Sequence, residues 1–331
     1  MGPVLVTGAT GFLGGAAARA LVRAGVAVRA TGRSLAAGSV LQREGIAFVP
    51  CDLPAEEAAL DRLVEGCEGV IHAAALSAPW GRRRDFERIN VRGTEKVIAA
   101  CRRAGVGRLV HVSSPSVNFA FRHQSGLREE TRWTEAPANP YIATKREAER
   151  LALEAGAVVL RPRALFGPGD TTLLPRLIRV ARRGVFPLFG PGDPLLELTW
   201  IGDAVRAIVL AMEAPGHGVG RVYQITSGQP LPTSLVLGTL LRACGLEVRF
   251  VRVPLQPALA LAGGLEWISN LGTAGRWEPP LTRYAVGALG FEQTHDLTAA
   301  RRDLGYAPET EILDALVRCG KEWREQQGRA R

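Results

Sequence analysis

Tyr141 and Lys145 stand four positions apart and could move a proton together. Residues at this spacing share one face of an α-helix. A free tyrosine has a pKa of about 10, which is too high for an efficient base near neutral pH. A nearby ammonium group favours the charged tyrosinate and lowers that pKa. A tyrosine tuned in this way could act as an acid or a base, but a surface helix can carry the same spacing without any catalytic role.

A glycine-rich segment near the N-terminus could bind phosphate groups. Gly8, Gly11 and Gly14 follow a short apolar run at 4–6 and lead into a helical pattern at 13–24. Glycines allow a tight turn and let the backbone approach a pyrophosphate, whose charge meets the N-terminus of the helix. Strand, turn and helix follow in the order that such a motif requires, so the segment predicts a dinucleotide site.

The end of the second predicted strand bears on the choice of dinucleotide. An NAD site usually has a carboxylate there, which binds the ribose 2′-hydroxyl. Residues 29–34 contain no carboxylate. Arg33 and Ser34 could instead bind a 2′-phosphate, the guanidinium through paired hydrogen bonds. The sequence thus favours NADP(H) and leaves NAD(H) open, since Arg33 could also be one solvated arginine among many.

Short apolar strands alternate with helices in the first half of the chain. Strands are predicted at 4–6, 26–28, 46–49, 70–71, 109–112 and 158–160, and helices at 13–24, 56–64, 86–104 and 141–154. This alternation is typical of an α/β fold with a doubly wound parallel sheet. We predict that residues 1–170 form the dinucleotide-binding domain, that 203–226 return to it, and that 171–331 form mostly a smaller substrate-binding lobe.

The glycine motif and the Tyr141–Lys145 pair together resemble those of the extended short-chain dehydrogenase/reductase family, within the NAD-dependent epimerase/dehydratase superfamily. Two shorter segments extend the resemblance: Asp52 and Leu53 after the third strand, and residues 73–75 after the fourth. The resemblance implies a Rossmann-type sheet. It also implies that Asp52 holds the adenine amino group, and that residues 73–75 lie beside the adenosine ribose and the nicotinamide.

The same resemblance implies a role for each residue of the catalytic site. Tyr141 would be the acid/base, and Lys145 would tune it and bind the nicotinamide ribose. The family places a hydroxyl group at the end of the fifth strand, three residues before a valine. This pattern selects Ser114, with Ser113 and Ser116 as neighbouring alternatives. Ser114 would hydrogen-bond the substrate carbonyl.

The remaining predicted contacts surround the cofactor. The predicted cofactor site comprises Gly8, Thr10, Gly11, Phe12, Leu13, Gly14, Arg33, Ser34, Asp52, Leu53, Ala73, Ala74, Ala75, Tyr141, Lys145, Pro162 and Leu165. Among these, Pro162 and Leu165 are expected by resemblance to face the nicotinamide carboxamide. Asn90 stands where relatives carry a structural asparagine, and we expect a structural role for it.

Aromatic and apolar residues gather where a substrate should bind. Trp80, Phe166 and Ser114 are the predicted substrate contacts, and Arg163 or Arg176 could meet a carboxylate. Short segments that resemble the 3β-hydroxysteroid dehydrogenase-like branch of the family, which includes bacterial oxoalkanoate reductases, lie at 78–81, 114–117, 173–177 and 281–284. The resemblance implies interconversion of a ketone and a secondary alcohol on an apolar molecule, such as a β-keto acid or a steroid.

Two other functions remain open at this point. A sugar-nucleotide epimerase would hold NAD tightly, and would oxidise and re-reduce its substrate without net use of cofactor. A non-enzymatic NADP-sensing protein on the same fold would not need the Tyr141–Lys145 pair, which argues against it. A dehydratase is not expected, because Pro115 and Ser116 stand where dehydratases of this family carry Asp and Glu. Fold alone does not decide among these functions.

The composition of the chain limits the kinds of molecule that it is expected to bind. The 331 residues carry a net charge of +9, but the 41 basic residues are scattered, so the expected partner is a small molecule and not a nucleic acid. Five cysteines without a CxxC pair, and five histidines never at metal-ligand spacing, predict a metal-free protein of the reducing cytoplasm. The most apolar stretch, 255–271, is interrupted by proline, glycines and a glutamate, so no membrane span is expected. The family resemblance further implies a homodimer paired through the helices at 86–104 and 141–154.

Overall fold

The computed structural model describes residues 2–214 and 220–329. Its strands are β1 (Val4–Thr7), β2 (Val28–Gly32), β3 (Ala47–Pro50), β4 (Gly69–His72), β5 (Arg108–Val112), β6 (Gln124–Leu127), β7 (Val158–Pro162), β8 (Leu165–Phe166), β9 (Val185–Phe189), β10 (Leu195–Leu196), β11 (Thr199–Trp200), β12 (Val222–Ile225), β13 (Leu231–Pro232), β14 (Arg249–Val253) and β15 (Gln293–His295). Its α-helices are α1 (Phe12–Arg23), α2 (Leu35–Arg43), α3 (Glu57–Val64), α4 (Arg83–Phe86), α5 (Gly93–Ala104), α6 (Pro140–Glu154), α7 (Leu173–Ala181), α8 (Ile201–Glu213), α9 (Thr233–Ala243), α10 (Leu255–Thr273), α11 (Arg283–Gly290), α12 (Thr298–Leu304) and α13 (Ile312–Arg329). A π-helical turn over Glu87–Arg92 and a 3-10 turn over Pro115–Asn118 complete the regular structure.

Seven parallel strands form the central sheet, in the order β12-β7-β5-β4-β1-β2-β3. Strand β1 lies between β4 and β2, with Val4 opposite both Gly69 and Val28. This is a Rossmann-like α/β fold, and the predicted fold class is confirmed. Because the strands run in one direction, their carboxyl ends meet at one edge of the sheet, where open α/β folds bind their ligands.

Helices cover both faces of this sheet, as continuous apolar strands require. On one face, α1, α8 and α12 pack against strand residues that include Val6, Ile71 and Val110. On the other face, α3 and α5 pack against Leu5 and Val70. These five strand residues are completely buried. The sheet is thus a rigid support for the segments that leave its carboxyl edge.

The later part of the chain contributes to two regions. Helix α8 packs on the central sheet, and strand β12 joins the sheet by pairing with β7. Leu304 and Tyr306, from the segment predicted to form mostly the lobe, also pack into the core of the sheet. Outside the sheet, α7, α9 and α13 pack together around Phe166, Leu240 and Leu316. The lobe elements therefore lie against the carboxyl end of β7 and β8.

The predicted helix at 86–104 is not one regular helix. The short helix α4 runs into the π-helical turn, and α5 follows from Gly93. Asn90 is buried in this turn, where its Oδ1 accepts a hydrogen bond from the Leu76 N–H at 2.7 Å and its Nδ2 donates to the Thr144 hydroxyl at 3.1 Å. The wider turn lets Asn90 hold the segment after β4 against α6, a feature that sequence periodicity does not reveal.

The described part of the chain contains neither a membrane-spanning helix nor a group of metal ligands. The apolar stretch at 255–271 lies within α10, and no helix in residues 2–214 and 220–329 combines the length and apolar character needed to cross a membrane. Across the same residues, no group of three or more His, Cys, Asp or Glu side chains could hold a metal ion. His217 lies outside the described residues.

Candidate active site

Tyr141 and Lys145 line one cavity from the first turns of α6. The helix begins at Pro140 and is capped by Asn139, whose Oδ1 accepts a hydrogen bond from the Ile142 N–H at 2.9 Å. A proline at the first helical position and a polar cap define the start of the helix. The four-residue spacing then places both side chains on the same side. The cavity has a volume of about 450 Å³.

The Lys145 ammonium group is buried against the end of β5. Its Nζ donates to the Val112 carbonyl at 2.7 Å and lies 3.5 Å from His111 Nε2. Burial lowers the pKa of Lys145 to about 8, although the Glu149 carboxylate one turn along α6 opposes this shift. His111 is neutral, because burial and the Lys145 charge hold its pKa well below the usual value.

Burial raises the pKa of Tyr141, while hydrogen bonds with the Ser77 and Ser114 side chains act in the opposite direction. This direction holds for the protein alone, whereas the predicted lowering of the Tyr141 pKa counts the positive charge of an oxidised nicotinamide together with that of Lys145. Burial raises the free energy of the charged phenolate by more than the two hydrogen bonds lower it. The Lys145 ammonium group donates its hydrogen bond to the Val112 carbonyl and not to the Tyr141 oxygen. A further positive charge is needed in the cavity to bring the Tyr141 pKa towards neutrality.

Ser114 lies just beyond β5, at the start of the 3-10 turn. Its Oγ accepts a hydrogen bond from the Ser116 N–H at 3.2 Å and shares another with the Ser116 hydroxyl at 2.9 Å. Ser114 also lowers the pKa of Tyr141, and both side chains line the larger cavity. The structure therefore brings the Ser114 and Tyr141 hydroxyl groups into one cavity. A substrate oxygen placed beside both groups can receive two hydrogen bonds.

A buried ion pair supports this end of the site. Arg161 on β7 donates to Glu149 on α6 twice, from Nη2 to Oε1 at 2.5 Å and from Nε to Oε2 at 3.0 Å. Ser113, next to Ser114, donates to the same carboxylate at 2.5 Å. The Arg161 and Glu149 side chains are 2% and 0% exposed. The network therefore ties β5, β7 and α6 together where Ser114 and Lys145 emerge.

The glycine-rich turn lies between this cavity and a second one of about 200 Å³, and Gly8 and Gly11 line both. Gly8 has a φ of +68°, and a Cβ there would lie 2.7 Å from the Ala74 backbone. A Cβ at Gly14 would lie 2.4 Å from the Gly8 oxygen. Within the described residues, no side chain caps the first N–H groups of α1. A close turn beside free N–H groups at a helix N-terminus fits the pyrophosphate of a dinucleotide.

The second cavity contains the residues predicted to bind the adenosine. Arg33 follows β2 and is exposed, and Asp52 follows β3. The Arg88 guanidinium donates to Asp52 Oδ2 at 2.8 Å. Ser34 is outside the lining of this cavity, and its Oγ caps α2 by accepting a hydrogen bond from the Ala37 N–H at 3.3 Å. Arg33 and Asp52 thus lie at the same end of the cleft, and Ser34 is the residue after Arg33.

Most of the predicted site residues line one of the two cavities. The larger cavity is lined by Gly8, Gly11, Phe12, Leu13, Gly14, Ala73, Ala75, Ser114, Tyr141, Lys145, Pro162 and Leu165. The smaller cavity is lined by Gly8, Thr10, Gly11, Arg33, Asp52, Leu53, Ala73, Ala74 and Ala75. The shared residues make the two cavities adjacent parts of one cleft.

Two predicted substrate contacts lie outside the lining of this cleft. Phe166 is 1% exposed and packs edge-on against Trp200, with ring centroids 5.4 Å apart. Successive residues of a strand point to opposite sides, so Leu165 of β8 lines the cavity while Phe166 enters the core. Trp80 follows the lining residue Pro79, and among the described residues its buried indole Nε1 has no hydrogen-bond partner.

Several lining residues of the cleft were not predicted as site residues, among them Ser77 and Tyr284. Ser77 lowers the pKa of Tyr141 through a side-chain hydrogen bond, and Tyr284 on α11 brings a second phenol into the larger cavity. Ser77 stands two residues after the predicted segment at 73–75, which is a signal that could have found it. Of the two arginines considered for a carboxylate, Arg176 lines the larger cavity, whereas Arg163 is buried outside its lining.

Known proteins resemble this chain over nearly its whole length. Residues 4–226 match the model of the NAD dependent epimerase/dehydratase family. The chain is 38% identical over 325 residues to a 2-alkyl-3-oxoalkanoate reductase of Stenotrophomonas maltophilia (strain K279a), which covers 95% of this chain and 97% of that protein. It is 36% identical over 326 residues to the 4-hydroxy-2-methyl-3-oxo-4-farnesyl-3,4-dihydroquinoline-1-oxide ketoreductase of Stigmatella aurantiaca, which covers 95% and 96%.

The fold is also found in solved structures. A crystal structure of UDP-glucuronic acid 4-epimerase from Bacillus cereus in complex with NAD matches with a TM-score of 0.76 and 20% identity, over 98% of this chain and 99% of that chain. At this identity the match shows a shared fold. The chain therefore belongs to the NAD dependent epimerase/dehydratase family, as its motifs predict, and is an NAD(P)-dependent enzyme of the short-chain dehydrogenase/reductase type.

Proposed function

We propose that the protein is an NADP(H)-dependent oxidoreductase that interconverts a ketone and a secondary alcohol on an apolar substrate. The observation that carries this proposal is the meeting of Ser114, Tyr141 and Lys145 in a cavity that continues to the glycine-rich turn. Two relatives named as a reductase and a ketoreductase, which match this chain over nearly their full length, support the same class of reaction.

The residues of the larger cavity suffice for the proton chemistry of ketone reduction. When bound, the nicotinamide supplies the hydride, or accepts it in the reverse direction. The glycine-rich turn and the N-terminus of α1 would hold the pyrophosphate, and Pro162 and Leu165 would hold the nicotinamide end of the cofactor. Tyr141 donates a proton to the ketone oxygen as negative charge develops there. Ser114 donates a hydrogen bond to the same oxygen and stabilises that charge.

Lys145 acts on this chemistry through its charge. Its ammonium group would bind the nicotinamide ribose and, together with the positive charge of the oxidised nicotinamide, would favour the ionised form of Tyr141. These charges oppose the burial that raises the Tyr141 pKa in the protein alone. Lys145 therefore both anchors the cofactor and tunes the acid/base.

The proposed preference for NADP(H) rests on the smaller cavity. Arg33 is the only cationic side chain among the described residues that line it, and it follows β2, where the 2′-position of the ribose is read. The negative charge of Asp52 is balanced by Arg88, at 2.8 Å, so it does not oppose a nearby phosphate. Ser34 offers a hydroxyl beside Arg33.

The proposed substrate is apolar, such as a β-keto acid or a steroid-like ketone. Beyond the glycine-rich turn, the larger cavity is lined largely by small or apolar side chains, which include Ala75, Ala78, Pro79, Val112, Ala164, Leu165 and Leu173. Among its described lining residues, Lys145 and Arg176 are the only charged ones. Such a lining, with a few convergent polar groups, favours a hydrophobic ligand over a sugar nucleotide.

The absorbance of NADPH tests this proposal. Purified protein is mixed with NADPH or NADH and a panel of β-keto acids, 3-ketosteroids and UDP-sugars. We expect oxidation of NADPH with an apolar ketone, and a loss of about 10³-fold in kcat for Tyr141→Phe. Isomerisation of a UDP-sugar without net oxidation of either cofactor would contradict the proposal and would establish the epimerase instead.

We also propose a homodimer that resides in the cytoplasm. All five cysteines are buried and unpaired, as expected in a reducing compartment. Helix α5 lies beside α6 in the protomer, and these are the helices through which the family resemblance implies pairing. Light scattering should give about twice the 35.4 kDa mass of one chain, and a clean monomer would contradict the dimer.

A further inference from the structure

The larger cavity carries positive charge and no negative charge. Lys145 and Arg176 are among its described lining residues, and none of these residues is an aspartate or a glutamate. The Lys145 ammonium group donates to the Val112 carbonyl at 2.7 Å, and the proposed chemistry uses its charge. Arg176 takes no part in that chemistry. The cavity therefore holds a second cation, which attracts an anion.

Helix α7 brings Arg176 to the cavity from the lobe. Leu173 and Arg176 are three residues apart on this helix and both line the cavity. Leu174 and Ile178 of the same helix are buried in the core of the lobe. At the start of the helix, Asp170 accepts hydrogen bonds from the Leu173 N–H at 3.0 Å and from the Leu174 N–H at 2.9 Å. The position of the Arg176 backbone is therefore fixed by a packed helix and not by a loose loop.

The carboxylate that pairs with Arg176 is held only weakly. Glu278 Oε1 lies 3.8 Å from Arg176 Nη2, which is longer than a charged hydrogen bond, and the two side chains are 50% and 42% exposed. Glu278 is outside the lining of the cavity. Water screens an exposed ion pair of this kind, so the pair contributes little free energy. A carboxylate inside the cavity can therefore replace Glu278 as the partner of Arg176.

A guanidinium in such a cavity suits a carboxylate. Its N–H groups form a planar fork that can bind both oxygen atoms of one carboxylate. Acidic side chains are absent from the described lining, so a bound carboxylate meets no repulsion from it. Apolar lining residues such as Ala164, Leu165 and Leu173 fit the rest of an apolar keto acid. A neutral ketone, in contrast, gains no binding energy from the charge of Arg176.

We propose that Arg176 binds a carboxylate of the substrate, and that it selects ketones with an acid group over neutral ketones such as steroids. Glu278 is the partner of Arg176 in the free protein, and it competes with the substrate for the same guanidinium. Arg176 is thus a specificity-determining residue that contacts the carboxylate and not the reacting oxygen. This inference rests on the proposed function, because it chooses among the ketones that the proposed function allows.

Two substrates that differ only in charge test this inference. They are a long-chain β-keto acid and its methyl ester, which keeps the ketone but has no negative charge. Arg176→Gln should raise the KM for the acid about tenfold and change kcat and the KM for the ester less than about twofold. Glu278→Gln should act in the opposite direction and lower the KM for the acid about threefold, because it removes the competing carboxylate. The KM for NADPH should stay within about twofold in both variants.

A matched control removes an arginine from the same helix. Arg179 lies three residues after Arg176 on α7, is exposed, and is outside the lining of the cavity. Arg179→Gln should leave the KM for the acid within about twofold of the wild type. Arg176→Lys keeps the positive charge but not the planar fork, so it should raise the KM for the acid by less than Arg176→Gln does. Melting temperatures check that all four variants fold.

The possible results distinguish this inference from the proposed function. Equal changes in the KM for the acid and the ester in Arg176→Gln, or no change in either, would overturn the role of Arg176. A raised KM for NADPH would also overturn it, because Arg176 would then serve a phosphate of the cofactor. A wild-type protein that reduces neutral ketones but no keto acid would overturn the inference and leave the proposed function standing. A wild-type protein that reduces no ketone contradicts the proposed function and, with it, this inference.

Discussion

The two ends of the cofactor cleft are built on different principles. At the end where proton chemistry is proposed, charges are buried and paired, as for Glu149 and Arg161, whose side chains are 0% and 2% exposed. At the adenosine end, charges remain in water. The paired Asp52 and Arg88 side chains are 33% and 45% exposed, and Arg33 is exposed beside them.

This difference predicts how each end responds to substitution. An exposed ion pair contributes little to stability, because water screens it and solvates both partners when they separate. Removing one partner of a buried pair leaves an uncompensated charge, which is strongly destabilising. We therefore expect the adenosine end to tolerate changes that alter cofactor preference, and the chemical end to lose stability when either partner of its buried ion pair is removed.

The largest effect is expected for Arg161→Met, which leaves the Glu149 carboxylate buried without its cation. The free energy of unfolding should fall by about 3–5 kcal/mol, measured by urea denaturation. The matched control is Arg150→Met on α6, the helix that also carries Glu149, where an exposed arginine pairs with Glu147 and Glu154. This control should cost about 0–1 kcal/mol. Equal losses in the two variants would remove the contrast between buried and exposed charges.

A smaller, selective effect is expected for Arg33→Gln. Losing a charged hydrogen bond to the 2′-phosphate should weaken NADPH binding by about 10- to 100-fold. Binding of NADH, which lacks that phosphate, should stay the same, and so should the stability of the protein. Arg43→Gln is the control, because this exposed arginine ends α2 outside the cleft lining. An equal change in the Kd of NADPH and NADH, or no change in either, would contradict the proposal that Arg33 binds the 2′-phosphate.

The smallest effect is a pH dependence of cofactor binding that comes from Lys145. Burial lowers its pKa to about 8, so the free protein loses this positive charge as the pH rises through that value. Cofactor binding that needs the ammonium must then take up a proton, and Kd should rise about tenfold per pH unit above the pKa while staying flat below it. Lys145→Met should bind more weakly, with a Kd that no longer changes between pH 7 and pH 9. A flat Kd in the wild type over that range would contradict the role of Lys145.

The parts of the site that the sequence predicts are those fixed by local backbone. The four-residue spacing of Tyr141 and Lys145 determines that both side chains face the same way, wherever the helix lies. The glycine-rich turn is likewise defined by its own strand and helix, and Gly14 is required by contact with Gly8 a few residues away. The fold class follows from the alternation of apolar strands with helices, which leaves few other ways to bury the strands.

The parts that the sequence misses depend on contacts between distant segments. Tyr284 reaches the larger cavity from α11, and Gln293 meets Arg163 from a strand far along the chain. Neither contact has a local pattern. Phe166 was placed in the substrate site because its position along the chain is right, but a two-residue strand turns it into the core beside Leu165, which lines the cavity. The raised pKa of Tyr141 likewise depends on how deeply the folded protein buries it.

The central claim is that this cleft transfers a hydride to a ketone while Tyr141 delivers the proton. The most direct test uses NADPH deuterated at both C4 positions of the nicotinamide, with an apolar β-keto acid as substrate and mass spectrometry of the product. The account predicts one deuterium on the carbinol carbon for each NADPH oxidised by the wild type, and almost no product from Tyr141→Phe. An isomerised UDP-sugar formed without NADPH oxidation, and no deuterated hydroxy acid, would contradict it.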